Sequence, residues 1–265
     1  MTTIAIFVIA HPDDESMFFL PTIFGLQHVD QKWLLCLSNG NYNGLGRTRE
    51  VELHRAAGCL GFDRIVVVNH DELQDSPTRT WSHHTVARVL EETLLRSLPN
   101  PPDADANDCH PHQQVVLLYT FDDKGVSGHV NHVDTHHGVQ LYLQNRDQTQ
   151  NVHIRGFQLI TEQSLRRKYV PLLHWLVLLG TLIGILTKTP TPTTTTPQST
   201  PTDSTYFTLY RPWLNWKCMA AHASQFVWYR RLFVVFSCYT YENRWLPIHT
   251  AKQGTSLDVP EHPRR

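Results

Sequence analysis

Two short stretches of this chain gather groups that could do chemistry together. The first, Ala10 to Ser16 (AHPDDES), places His11, Asp13, Asp14 and Glu15 almost side by side. Carboxylates this close repel one another unless a proton or a cation stands between them, and a divalent metal is the natural cation. His11 and Asp14 are candidate ligands on that ground. The plain alternative is that Asp13, Asp14 and Glu15 cap a helix that follows. The second stretch, Gly128 to His132 (GHVNH), carries His129 and His132, with His136 and His137 in the next turn. A catalytic zinc site needs three protein ligands and one open position for water, so one histidine from here would complete the first pair. Spacing alone does not choose it, because His132 and His136 stand i,i+4 on a helix as in zincins, although no HExxH glutamate accompanies them. For His136 and His137 a surface or core imidazole is the plain alternative.

For the two stretches to meet, each must sit at the end of a strand. Ile4 to Ala10 is a near-continuous apolar run, the pattern of a strand covered on both faces, and Glu15 to Gln27 follows as a helix. The alternation continues with strands at Lys32 to Ser38, Arg64 to Asn69 and Gln113 to Phe121, each followed by a helix, at Arg47 to Leu60, Thr85 to Leu98 and Asn131 to Gln144. Four βα units predict a Rossmann-like α/β fold, a mostly parallel sheet with helices on both faces. Both stretches then leave C-terminal strand ends, of the first and the fourth strand, where such sheets form their ligand crevice. A further strand is expected at His153 to Ile160.

Composition narrows the function classes. A length of 265 residues suits one α/β domain with a substantial core, placed at 1–251, and 41% hydrophobic against 18% charged residues describes an ordinary globular chain. A net charge of -1 argues against nucleic acid, which needs clustered basic residues. The five cysteines are odd in number and never at CxxC spacing, so neither a disulfide framework nor a thiolate metal site is expected. Met1 to Ala10 has no basic start and no cleavage site, and reads as a strand rather than a leader. Val170 to Thr187 is 18 residues whose only ionisable side chain is His174, and it is the one membrane candidate: buried helix, interfacial helix and short span all fit its length. Pro99 to Gln113 reads as an exposed loop, the Thr/Pro-rich 188–205 as an insertion unable to bury a core, and 252–265 as a disordered tail. No protein partner is evident.

Longer blocks carry a resemblance. AHPDDE at Ala10 to Glu15, LSNGNYNGLGRTREVEL at Leu37 to Leu53, TFDDKGVSGHVNH at Thr120 to His132 and SQFVWYRRLFVVFSCYTY at Ser224 to Tyr241 resemble the motifs of the LmbE-like zinc de-N-acetylases. AHPDDE alone marks the wide family. The GVSGHVNH form and the paired arginines Arg230 and Arg231 resemble its PIG-L branch, whose substrate is N-acetylglucosaminyl-phosphatidylinositol. Most of the chain is covered, except 99–112 and 188–205.

The resemblance implies His11, Asp14 and His132 as ligands of Zn2+, a donor set that also accepts Fe2+ or Co2+. It implies Asp13 as general base and a protonated His129 beside the oxyanion. Substrate contacts are implied for Asn39, Arg49, Arg230 and Arg231, the last two at the inositol phosphate, with the glycines of Asn39 to Arg47 letting backbone approach the sugar. Many bacterial relatives have Asp where this chain has Asn131, and Asp122 is the expected replacement beside His129. The implied reaction yields glucosaminyl-phosphatidylinositol and acetate, the second step of glycosylphosphatidylinositol-anchor synthesis, on a glycolipid at the cytosolic face of the endoplasmic reticulum membrane. Relatives of this type often carry an N-terminal span, whereas here the catalytic strand begins within a few residues of Met1; anchoring stays open, with Val170 to Leu186 able to lie in the interface. Two rivals remain: a de-N-acetylase of a soluble N-acetylglucosaminide, and a non-catalytic sugar- or metal-binding protein. An unligated Asp13 beside a metal speaks against the second, which has no chemical use for it.

Overall fold

The computed structural model describes residues 2–98, 114–146, 152–169, 204–209 and 211–249. The expected exposed loop, the membrane candidate, the tail and all but the last two residues of the Thr/Pro-rich insertion lie outside the described residues.

Ile4 to Ala10 is sealed from solvent, and most of it forms β1 (Thr2–Ile9). This strand runs parallel between β2 (Gln31–Cys36) and β4 (Gln114–Phe121), with Phe7 opposite Leu34 on one side and Tyr119 on the other. Aromatic rings fill the space around it: Phe7 stacks on Tyr119 at 5.2 Å between centroids and meets Phe62 edge-on at 5.7 Å. β3 (Arg64–Val67) extends the sheet beyond β2, and β5 (Val152–Leu159) extends it beyond β4, both parallel. The Rossmann-like, mostly parallel sheet expected from the βα alternation is therefore present.

Two further strands were not expected. β6 (Thr205–Thr208) and β7 (Glu242–Pro247) add antiparallel to the β5 edge, giving the order β3-β2-β1-β4-β5-β7-β6. β6 is short and largely exposed, and β7 turns a polar Asn243 inward beside Trp245, so neither shows an apolar alternation to read.

Asn243 also explains a second departure. The single helix expected at 15–27 is two, α1 (Asp14–Phe18) and α2 (Leu20–Gly25). Asn243 donates from Nδ2 to the Phe18 carbonyl at 2.7 Å, and its Oδ1 accepts from the Thr22 amide at 3.1 Å and the Thr22 hydroxyl at 2.7 Å. A helix carbonyl is thereby diverted to β7, and Pro21 has no N–H to return to the carbonyls of the preceding turn.

α3 (Gly46–Leu60), α4 (His83–Ser97) and α6 (Val130–Asn145) stand within two residues of the expected bounds, α4 being started by Ser82, whose side chain accepts the Thr85 amide. Short helices α5 (Gly125–Gly128) and α7 (Leu165–Tyr169) follow β4 and β5, and α8 (Pro212–Ala221) and α9 (Trp228–Phe236) precede β7. Among the described residues no helix is long and apolar enough to cross a membrane. The chain leaves β1 toward β2 and β3 and returns on the other side as β4, so the sheet's switch point lies between the C-terminal ends of β1 and β4.

Candidate active site

At the end of β1 the chain turns through Asp13, whose φ of 113° lies in the left-handed region. The acids of this turn do not cap α1 in the ordinary way: Asp13 makes no side-chain cap bond. Asp14 reaches backwards instead, its Oδ2 accepting the amides of His11 at 2.8 Å and Ala10 at 3.2 Å. Glu15 accepts the Asp13 amide at 3.1 Å and pairs with His222 at 2.6 Å, both side chains fully sealed. A buried carboxylate is tolerable only with such partners, so Glu15 braces the turn.

The second stretch follows β4 through α5. Gly125 has φ +61°, and a Cβ there would stand 2.9 Å from the His132 Cβ, so only glycine lets this turn close over His132. Val126 has φ 60°, costly for a β-branched residue. It is held from both sides, its amide donating to Thr161 Oγ1 at 2.9 Å and its carbonyl accepting from Lys168 Nζ at 2.8 Å. Asp122 anchors that brace, accepting the Thr161 amide at 2.7 Å and its hydroxyl at 2.5 Å. Its carboxylate is thus committed to Thr161 and does not stand in beside His129, contrary to expectation.

The two stretches meet. Ring nitrogens of His11, His129 and His132 all lie within 4.8 Å of one another. Asp14 Oδ1 is 3.2 Å from His132 Nε2, and Asp14 Oδ2 is 3.8 Å from His11 Nδ1. Hydrogen bonds on the far side of each ring fix its tautomer. His132 Nδ1 donates to the Gly125 carbonyl at 3.0 Å, which leaves Nε2 bare. His11 Nε2 faces Asp75 Oδ1 and Asn131 Oδ1, both at 3.2 Å and both acceptors, which leaves Nδ1 bare. Two bare imidazole nitrogens and a carboxylate therefore converge with no donor between them, an arrangement that fits a divalent cation. Burial, reinforced by His132, lowers the His11 pKa to about 4 despite Asp14, so its ring is neutral near pH 7. Burial works against ionisation of Asp14, and the His11 amide that its Oδ2 accepts favours the charged carboxylate. His129 differs: its Nδ1 accepts the Asn131 amide at 3.2 Å, which places the proton of the neutral ring on Nε2. Burial, then His132, lowers its pKa, and in the neutral ring Nε2 is the nitrogen left to donate.

The i,i+4 pairing of His132 with His136 is not formed. His136 Nδ1 bonds the Phe121 carbonyl at 3.0 Å, and His137 packs against His83. Of the expected substrate contacts, Arg49 lines the site but ties protein to protein: it donates to the carbonyls of Pro12 at 2.7 Å and Gly40 at 2.9 Å and pairs with Asp75 at 3.1 Å and Asp13 at 3.5 Å. Gly40 (φ +69°) lets the backbone approach the Arg49 guanidinium, where a Cβ would clash, rather than a sugar. Asn39 donates to Glu50 at 2.9 Å and is not part of the cavity wall. Arg230 reaches the site and pairs with Asp13 Oδ2, its pKa brought down to about 10 by burial. Arg231 stays outside, its Nε donating to the Phe226 carbonyl at 3.2 Å.

Asp75 was missed. It orients His11 and holds Arg49, yet it lies in an irregular segment between β3 and α4 where no spacing rule singles it out. These groups form the floor of a cavity of about 700 Å³, and Met17, Phe18, Tyr169, Tyr229, Leu232, Phe233 and Phe236 supply apolar walls.

Sheet and site together define an α/β protein with a histidine–carboxylate cluster at the switch point of a mostly parallel sheet. Residues 6–143 match the family described as PIG-L, GlcNAc-PI de-N-acetylase. N-acetylglucosaminyl-phosphatidylinositol de-N-acetylase of Bos taurus is 32% identical over 240 residues, 88% of this chain and 78% of that protein. A probable enzyme of the same name from Schizosaccharomyces pombe is 39% identical over 149 residues, in which the chain spans 54% of that protein's length. In fold, the chain resembles N,N'-diacetylchitobiose deacetylase from Pyrococcus horikoshii, with a TM-score of 0.52 at 14% identity over 92% of this chain and 83% of that one. The chain belongs to the PIG-L family, and is an enzyme that hydrolyses N-acetyl groups.

Proposed function

We propose that the chain removes the acetyl group of N-acetylglucosaminyl-phosphatidylinositol, releasing acetate and glucosaminyl-phosphatidylinositol. The observation that carries this reading is the convergence of bare His11 Nδ1, bare His132 Nε2 and the Asp14 carboxylate beside an Asp13 that is not part of that set. His11, Asp14 and His132 would hold Zn2+, or Fe2+ or Co2+ in its place. A set of three histidines is less apt, because His129 has its Nδ1 occupied and its proton on Nε2. A divalent metal held there supplies Lewis acidity toward water and the acetamide carbonyl. Asp13 takes the proton of the attacking water and returns it to the departing amine. His129 donates from Nε2 to the oxyanion, where a fixed donor lowers the barrier most.

Asp75 fixes the ring of His11. Asp75→Ala is expected to weaken metal binding by about 10–100-fold, measured by competition with a chelator; unchanged affinity would remove Asp75 from this role.

The substrate comes from the relatives' names and the shape of the cavity. A charged floor beneath aromatic walls suits a sugar with a lipid-bearing substituent. With Arg231 outside the cavity, Lys168 joins Arg230 as a cation in its wall able to meet a phosphodiester. We propose the cytosolic face of the endoplasmic reticulum membrane as the place of the reaction, a reading supported by the glycolipid in the relatives' names. The deciding measurement is acetate release by the metal-loaded protein from N-acetylglucosaminyl-phosphatidylinositol and, in parallel, from lipid-free N-acetylglucosaminyl-inositol. Turnover of the lipid form, abolished by chelation, is expected. Turnover of the lipid-free form alone would replace this reading with that of a soluble-sugar deacetylase.

A further inference from the structure

Helix α9 is seated on the protein by few of its residues. Val234 is buried and Phe233 half-buried, while Trp228 is 72% exposed, Tyr229 56% and Leu232 49%, with Val235 and Phe236 also open. Its neighbours add to the same surface: Trp213 and Trp216 on α8, Leu165 and Tyr169 on α7, all exposed. Monomeric soluble proteins rarely leave so many large apolar groups together on one surface.

Charge narrows what covers it. From Arg211 to Tyr241 the sequence has four basic residues, Arg211, Lys217, Arg230 and Arg231, and no Asp or Glu. Lys217 and Arg231 are exposed among the aromatics. Trp and Tyr beside basic residues on an apolar helix face, with acids excluded, is the composition that favours an anionic lipid interface. The patch is also continuous with the cavity, since Tyr169, Tyr229, Leu232 and Phe236 are exposed and line it at once.

We propose that α8 and α9, with α7 beside them, rest on an anionic phospholipid bilayer and open the cavity at its surface. The inference deepens the glycolipid reading by giving a lipid substrate a way in without leaving the bilayer. Its test does not depend on turnover.

The full chain is sedimented with vesicles of phosphatidylcholine, with and without phosphatidylserine, in the absence of substrate. Binding is expected with phosphatidylserine, weakening as salt rises. Trp228→Ser combined with Val235→Ser, neither of which lines the cavity, is expected to lower the partition coefficient at least about tenfold while thermal midpoint and metal content stay unchanged. Brominated phosphatidylcholine mixed into the serine-lipid vesicles is expected to quench tryptophan fluorescence less in Trp228→Phe than in the parent. Equal partition of parent and double variant would overturn the proposal and pass the role to the apolar 170–187. Absence of binding by the folded parent would overturn it too, as would a dimer in solution that the double variant dissolves. Vesicle binding with no acetate release would leave the docking face standing and refute the substrate reading instead.

Discussion

Asp13→Asn is expected to keep its metal and lose turnover by about 10²–10⁴-fold, the range a positioned general base contributes. The choice of asparagine follows from the backbone. Asp13 sits at φ 113°, where a side chain other than Asn or Asp is strained, so Asp13→Ala would confuse lost chemistry with a distorted turn. Asparagine keeps the size and tolerates the conformation but has no basic oxygen for a proton. It also removes the negative partner of Arg49 and Arg230, which leaves two buried guanidinium groups less compensated. Some loss of thermal stability is therefore expected and is to be measured alongside. The decisive comparison is metal content against kcat. Full metal with kcat reduced at least about 100-fold assigns the proton transfer to Asp13; near-normal kcat would assign it elsewhere, and loss of metal would make Asp13 a ligand.

How much of this site could be read in the sequence depends on whether a residue's role is local. His11, Asp14, His129 and His132 stand in two compact stretches that a strand-end rule brings to one crevice, and the structure does bring them together. The succession of β1 to β5 along the chain and their parallel pairing were legible for the same reason, because βα alternation is a local pattern. Asp75 acts only through His11 and Arg49, from sequence positions far from both, and carries no spacing signal. The Glu15–His222 pair joins residues 207 apart, and nothing marked His222 among seventeen histidines.

The arginines show the limit most clearly. Arg230 and Arg231 are adjacent, and a sequence reading gave both the same work. On a helix, neighbours point about 100° apart. Arg230 turns inward to Asp13 and Arg231 turns out to the Phe226 carbonyl, so only one of them belongs to the cavity. Gly40 is similar: its freedom was legible, but the Arg49 guanidinium filling the space beside it was not.

His132→Ala is expected to abolish metal binding along with turnover. This ring is fixed at three points: Nδ1 donates to the Gly125 carbonyl, Nε2 faces Asp14 Oδ1 at 3.2 Å, and its face stacks on Phe121 at 4.1 Å between centroids. Loss of the imidazole removes one of three donors outright, so affinity should fall by more than the roughly 10–100-fold that an outer partner such as Asp75 commands. The strained turn at Val126 loses the bond from the ring to the Gly125 carbonyl but keeps those to Thr161 and Lys168, so the fold around the site should survive, at a cavity cost of about 3–5 kcal/mol by analogy with a buried aromatic. His132→Gln is the companion variant, filling more of the space without restoring the nitrogen. Measured together, metal content should separate the two classes of residue: present in Asp13→Asn, absent in His132→Ala and His132→Gln. Equal metal loss in Asp13→Asn and His132→Ala would refute the division of ligand from base. Retention in all three would take His132 out of any ligand set, the three-histidine alternative included, and move the metal away from this crevice.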